Sequence, residues 1–415
     1  MNSKNYKRTK LACYSAYFTM SSVFSLPPLL FAPLRDMYGI SYTLLGTLVL
    51  TNFCTQLTID LIFTAFSKHF NVKKIVKIMP LITSAGLIIY ALVPNLFPRY
   101  AYIGLVIGTI LFSVSAGLSE VLLSPVIAAI PSDNPQKDMS LLHSLYAFGV
   151  FTVVVISTLF LKFFGNENWM YLTLFWAVLP IAASVLFMLS PIPDLNASES
   201  KTASAKTQHK YLLLAICAGT IFFGSCAENA MSNWISTYME NALQINKALG
   251  DILGMAVFAI LLGVTRICYA KFGKSIMKVL LIGMLGSVAC YLVAGLSPNI
   301  IFAFSACILT GLFTAMLWPG TLIMMEQDIT APSVAAFALM AASGDLGAAV
   351  APQLLGIIVD KVAESAVGNE LSVSLGLTPD QVGLKAGMLI TAIFPILGSA
   401  LLIFKALHFK KAKRC

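Results

Sequence analysis

In the stretch "GLSEVLLSP", residues 117–125, Glu120 is a lone carboxylate inside a long apolar run. A charge at bilayer depth costs about 2.5–3.5 kcal/mol on insertion scales, so such a residue faces protein or a water-filled cavity and marks a functional site by default. The chemistry open to it is proton uptake and release. Ser113, Gly117, Glu120 and Ser124 recur at helical spacing and form one small, polar stripe. Glu120 precedes Ile130 by ten residues, a distance of about 15 Å along a helix, near mid-bilayer depth.

Further ionisable groups sit in comparable runs. In "GSCAENAMSNWISTYME", Ser225, Glu228, Ser232 and Ser236 share a face, with Asn229 and Asn233 beside it and Trp234 and Tyr238 following. An acid, amides, hydroxyls and aromatic rings on one half of a helix suit a hydroxylated or polar ligand. The alternative assigns Trp234 and Tyr238 to an interfacial aromatic belt. Asp345 lies on a small-residue face with Ala338, Ala341, Ala342, Ala348 and Ala349, either as a proton or cation site or as a helix contact at a gate. His143, in "SLLHSLYAFG", titrates in the physiological range and is read either as a proton relay or as a packing residue. Asn52, Gln56 and Asp60 form a second stripe, and Arg266 occupies a similar depth in a later run. The proton-coupling candidates are therefore Glu120, His143, Glu228 and Asp345. The substrate-binding candidates are Gln56, Glu120, Tyr146, Glu228, Asn229, Asn233 and Trp234. Asp60 and Arg266 form a candidate gate, the alternative being separate pairing with loop or lipid groups.

The 415 residues are 58% hydrophobic and 11% charged, with mean hydropathy +0.85. That is too apolar for a soluble domain, and the chain reads as a polytopic membrane protein. Apolar runs of about 20 residues fall near 11–34, 44–66, 75–97, 101–130, 140–164, 170–190, 211–238, 248–270, 279–296, 300–325, 333–359 and 384–405, which makes twelve spans. With the N-terminus inside, twenty Lys and Arg fall on the inner side and six on the outer, which supports an even count with both termini cytosolic. The basic start "MNSKNYKRTK" leads into a retained first helix rather than a signal peptide. The net charge of +9 sits in loops and tails, which points to topology and lipid headgroups rather than nucleic acid.

The polar stretch 191–210 divides six spans from six. The expected organisation is a six-helix bundle over 1–190, a cytosolic linker over 191–210, and a second bundle with a basic tail over 211–415. Both halves carry the same punctuation. Gly117-Leu118, Leu123 and Pro125 repeat as Gly311-Leu312, Leu317 and Pro319 at a constant offset of 194. The basic turns "SKHFNVKKIVK" and "AKFGKSIMK" follow the second and eighth spans, whose entries share Leu45-Gly46 and Leu249-Gly250. These matches imply two parallel six-helix repeats.

Six plus six spans, a cytosolic central loop and basic turns at matching positions resemble the major facilitator superfamily. The resemblance implies an all-α membrane protein with a substrate site near the midplane. The superfamily's acidic loop signature is degenerate, with Ser67 in the place of the acid. "GLSEVLLSP" followed by "SLLHSLYAFG" is similar to the fucose/glucose:proton symporter group, and Glu120 matches the glutamate that the group ties to proton coupling. The group's aspartate in the first helix has no counterpart, since Asp36 lies outside that span.

No phosphate-cradling loop, zinc spacing or nucleophile elbow occurs. The chain reads as a non-enzymatic secondary transporter that needs no cofactor or metal. The expected partners are a small-molecule substrate, a proton and membrane lipids, and the protein is expected to function as a monomer. Proton-coupled symport of a small polar, sugar-like solute across a bacterial inner membrane leads. Proton-driven export of cationic or amphipathic compounds and a non-transporting sensor or scaffold are the alternatives.

Overall fold

The computed structural model describes residues 6–66, 70–132, 135–193, 210–273, 275–329 and 334–412. Regular structure among them is entirely helical. Helix α1 (Lys7–Leu29) continues after a 48° bend as Phe31–Tyr38. Pro27 and Pro28 lie just before the bend, where each removes a backbone donor and crowds the preceding turn. The first half goes on with α2 (Tyr42–Phe66), α3 (Val72–Leu96), α4 (Ala101–Ala128), α5 (Pro135–Phe164) and α6 (Trp169–Met188).

The second half opens with α7 (Lys210–Thr237), which a π-helical turn, Tyr238–Ala242, prolongs. A second π-helical segment, Gly250–Ala256, leads into α8 (Val257–Phe272), and α9 (Ile276–Leu296) follows. Helix α10 comes in two pieces, Ile300–Thr314 and Leu317–Asp328. Helix α11 spans Val334–Glu364, and α12 comprises Pro379–Thr391 and Ile393–Ala412.

Among the described residues, ten helices are long and apolar enough to cross a membrane, and the bent α1 makes eleven. In α5 the apolar part is Phe148–Phe164. Each of the twelve expected spans therefore has its helix. The expected loop 361–383 instead holds a short helix, Ala366–Leu375, capped by Ser365 and ended by Gly376 at φ 64°. Serine at the N-cap and a left-handed glycine after the last turn are ordinary helix stop and start chemistry. The expected linker 191–210 lies outside the described residues from 194 to 209.

The chain divides into two compact units. One comprises residues 1–40 and 51–200, the other 41–50 and 201–415. In the first unit, α3 and α4 meet backbone to backbone. A Cβ on Gly86 would lie 2.8 Å from the Gly108 carbonyl oxygen, and one on Gly108 would lie 2.7 Å from that of Gly86. In a bilayer, where burial from water no longer drives helices together, such glycine contacts supply the packing. Hydroxyls reinforce them: Thr83 donates to Ser115 at 2.7 Å, and Ser84 donates to the Ala177 carbonyl at 2.7 Å.

Residues 41–50 depart from the expected boundary for a local reason. The amides of Tyr42 and Thr43, at the open start of α2, donate to the two carboxylate oxygens of Asp360 at 3.1 and 2.6 Å. The Tyr42 ring lies 5.7 Å from that of Trp234, and its hydroxyl accepts from Asn241 at 3.1 Å. A carboxylate on orphan amides at a helix start is a strong cap. Asp360→Ala is expected to cost about 1–2 kcal/mol, read as a lower thermal midpoint of the purified protein. An unchanged midpoint would remove the cap from the account.

Lys247 is held in the second unit by Glu240 and Asp251, each at 3.4 Å, and donates to Ser236 at 3.2 Å. Asp251 is buried. The two π-helical segments bring these groups together by shifting side-chain register where α7 ends and α8 begins.

Candidate functional site

In the first unit the two polar stripes face each other. Ser113 on α4 donates to the Asn52 side chain on α2 at 2.6 Å. One turn on, Gly117 packs on α2, where an added Cβ would meet the Gln56 backbone at 3.3 Å. Glu120 and Asp60, the next members of each stripe, interact electrostatically. Glu120 also acts on Tyr17 of α1. Glu120 is an exposed residue and has no hydrogen bond or ion pair among the described residues. Asp60 buries one carboxylate oxygen without a hydrogen-bond partner. Two acids thus act on one another within the first unit. That is a costly arrangement while both are charged and a stable one when they share a proton.

Gln56 is buried and gives its amide N–H to the Asn52 side chain at 3.1 Å. It holds the stripe together. Tyr146 sits edge-on to Phe24, with ring centroids 5.8 Å apart. The side chain of His143 lies outside the described residues.

At one end of the same unit, a cluster that sequence reasoning missed ties α1 to α5. Asp138 accepts from Lys10 and from Ser132, each at 2.5 Å, and from the Tyr14 hydroxyl at 3.3 Å. Bonding to the Lys10 ammonium, and then to Ser132, holds its carboxyl below the usual carboxylate range. A lowered folded-state value stabilises above the unfolded carboxyl's value of about 4, and the gain is lost as pH falls through the folded one. Asp138→Asn is therefore expected to lower the thermal midpoint at pH 7, with the gap to wild type narrowing below about pH 4. A gap independent of pH would contradict this.

In the second unit Glu228 faces Arg266. Nη2 of Arg266 reaches the Glu228 carboxylate at 3.5 Å, and its Nε donates to the Ala315 carbonyl at 2.9 Å. Ala315 lies at the break in α10. Its carbonyl would normally accept from the residue four positions on, which is Pro319 and has no N–H. The guanidinium takes the carbonyl that proline leaves free. Irregular backbone at membrane depth is tolerated where it lines a cavity or is satisfied by protein. Arg266, placed by sequence reasoning in a gate with Asp60, thus has its partners inside its own unit. The sequence signal for that arrangement was Pro319 in "LWPG", four residues after a small residue.

Asn229 donates to the carbonyl and hydroxyl of Ser225 at 3.1 and 3.2 Å, and Asn233 donates to the Asn229 carbonyl at 2.9 Å. Asn233 is buried and Asn229 half-buried. Trp234 needs correction as a ligand-stacking residue. It is fully buried, packs on Tyr42, and gives its indole N–H to the Pro352 carbonyl at 3.1 Å. Tyr238 is likewise buried and donates to the Ala294 carbonyl, so neither aromatic stands in an interfacial belt. Asp345 is buried in α11. No group of three or more metal-ligating side chains occurs among the described residues.

Membrane-length helices in two units, with acids and a guanidinium inside the spans, point to a polytopic membrane protein. The Major Facilitator Superfamily model matches residues 13–352, and the chain belongs to that family. It is a transporter rather than an enzyme. Its fold is similar to that of a bacterial homolog of the human lysosomal transporter Spinster in an inward-facing, occupied conformation. That likeness has 14% identity, covers 99% of each chain and gives a TM-score of 0.77. A D-xylose-proton symporter aligns at 14% identity over 94% of this chain and 97% of that one, with a TM-score of 0.73. The nucleoside transporter NupG aligns at 14% identity over 97% and 98%, with a TM-score of 0.69. At these identities the likeness is one of fold. No curated protein sequence matches the chain.

Proposed function

We propose that the protein is a proton-driven symporter of a small polar organic solute, sugar-like in its hydroxyl groups, working by alternating access. The observation that carries this reading is Glu120, exposed, unpaired among the described residues and acting electrostatically on Asp60 within the first unit. Protonation of Glu120 removes one of two adjacent negative charges. A carrier must cross an occluded state, and closing apolar helices over charged acids is costly. The proton therefore travels with the solute. Glu228, Asn229 and Asn233 in the second unit supply polar contacts to the solute, and Asp345 is a further candidate for the proton path. The similarity of "GLSEVLLSP" to the fucose/glucose:proton symporter group supports the same assignment. We place both termini in the cytosol of a bacterial inner membrane, on the strength of the basic residues in the loops and tails, with the monomer as the working unit.

A second reading, export of cationic compounds, is favoured by the net acidity of the Glu120–Asp60 pair. Vesicles loaded with purified protein and given a pH gradient separate the two. The first reading expects labelled sugars, hydroxy acids or other small polar solutes to accumulate on the alkaline side. Exclusion of labelled cations with no such accumulation overturns it in favour of export. A protein that moves neither class under the gradient is a sensor or scaffold.

A further inference from the structure

A guanidinium offers five N–H donors in a flat fork that matches a carboxylate edge. Arg266 gives one to the Ala315 carbonyl at 2.9 Å and a second, at 3.5 Å, to Glu228. The other three have no protein acceptor among the described residues, and the side chain is 38% exposed. Ala315 stands at the middle of α10, between its pieces Ile300–Thr314 and Leu317–Asp328. The guanidinium is thus anchored at mid-span by Nε, with its outer edge open. The contact to Glu228 is at the limit of a hydrogen bond, far from the 2.7–2.9 Å of a committed charge pair. Glu228 accepts from no other described group.

A structural ion pair would close this geometry. An open donor fork opposite a loosely held carboxylate is instead arranged to receive an oxyanion and release the acid. One positive charge matches a carboxylate monoanion, whereas a phosphate dianion would leave net charge inside the span. Asn229, its N–H donors turned back onto Ser225, keeps its amide oxygen as an acceptor for a hydroxyl.

We propose that Arg266 is the carboxylate receptor of the transport site and that the solute is a hydroxylated organic monoacid, bound together with a proton that Glu228 accepts. This rests on the proton-coupled reading above. In the binding step the solute carboxylate takes the free edge of the fork, the Glu228–Arg266 contact breaks, and a proton from water adds to Glu228. The site is neutral before and after. Charged residues on the elements packed around α7 include Glu240 and Asp251 in the π-helical segments, Glu326 and Asp328 on α10, Asp345, Asp360, Lys361 and Glu364 on α11, and Asp380, Lys385 and Lys405 on α12, with Arg266 on α8. Of these, Arg266 is the one that acts on Glu228, and Lys405 is taken by Asp328 at 2.6 Å.

The test uses purified full-length protein in a thermal-shift titration with gluconate, glucuronate, quinate and lactate, against glucose, inositol and glycerol as uncharged counterparts. Stabilisation by one or more acids and none of the neutral polyols is expected. Apparent affinity for the acid should fall about ten- to a hundredfold in Arg266→Gln, the loss of one charge-assisted contact. Arg266→Lys, which keeps the charge without the fork, should fall between Arg266→Gln and wild type and serves if the glutamine variant does not fold. In weak buffer, acid binding should take up about one proton per site in wild type and none in Glu228→Gln. Stabilisation by neutral polyols alone, by no acid at all, or by acids equally in wild type and Arg266→Gln would each overturn the proposal. A neutral sugar that accumulates under a pH gradient ends this inference and leaves proton symport standing; an acid that binds through Arg266 but never accumulates under the gradient does the reverse.

Discussion

Glu120→Gln is expected to abolish accumulation of solute under an imposed pH gradient while leaving exchange of labelled for unlabelled solute in place. Glutamine keeps the shape and polarity of a protonated glutamate but cannot ionise, so the carrier is fixed in its protonated form. Exchange needs the loaded carrier to reorient and nothing more, whereas accumulation needs the proton to leave. In the first unit Glu120 is the acid placed to release it: the residue is exposed and unpaired among the described residues, whereas Asp60 buries a carboxylate oxygen. A drop to equilibrium distribution is the predicted readout. Accumulation at the wild-type level would remove Glu120 from the proton path.

The largest effect on stability is expected at Trp234. Its side chain is fully buried against Tyr42, with its N–H on the Pro352 carbonyl. Truncating a buried aromatic to alanine costs about 3–5 kcal/mol, enough to deplete folded protein at growth temperature. Trp234→Phe keeps most of the ring and forfeits one buried hydrogen bond, at a cost of about 1–3 kcal/mol. Folded Trp234→Phe protein is expected to bind solute as tightly as wild type, since the ring is fully buried against Tyr42. A thermal midpoint series paired with solute titration checks both points. Normal stability with weakened binding would restore Trp234 to the ligand site.

The twelve helices were legible because a bilayer forces long apolar runs and the spacing of loops follows. Both polar stripes were legible from helical periodicity as well. Their meeting was not, because periodicity gives the face of one helix and says nothing of the helix opposite. Ser113 on Asn52 and Glu120 beside Asp60 needed coordinates. Trp234 was misread for a related reason: a tryptophan near the end of a span suits a ligand cavity, an interfacial belt or a packed core equally well, and the Pro352 carbonyl that decides the matter is over a hundred residues away. Glu228 was singled out without a charged partner and Arg266 was set with Asp60, because the break at Ala315 that anchors the guanidinium follows from Pro319 on a third helix. The Asp360 cap on α2 and the Lys10–Asp138 pair join residues more than a hundred positions apart. The two π-helical segments carry no hydropathy signal, since a single wide turn leaves the apolar count of a span unchanged.

The central claim is that a proton moves with the solute through the acids inside the spans. Proteoliposomes that enclose a pH-sensitive dye, with no imposed gradient, test it most directly when an outwardly added solute identified by the thermal-shift titration enters. The account predicts solute-dependent acidification of the lumen in wild type and none in Glu120→Gln. Solute entry in wild type with no change in lumenal pH would contradict it.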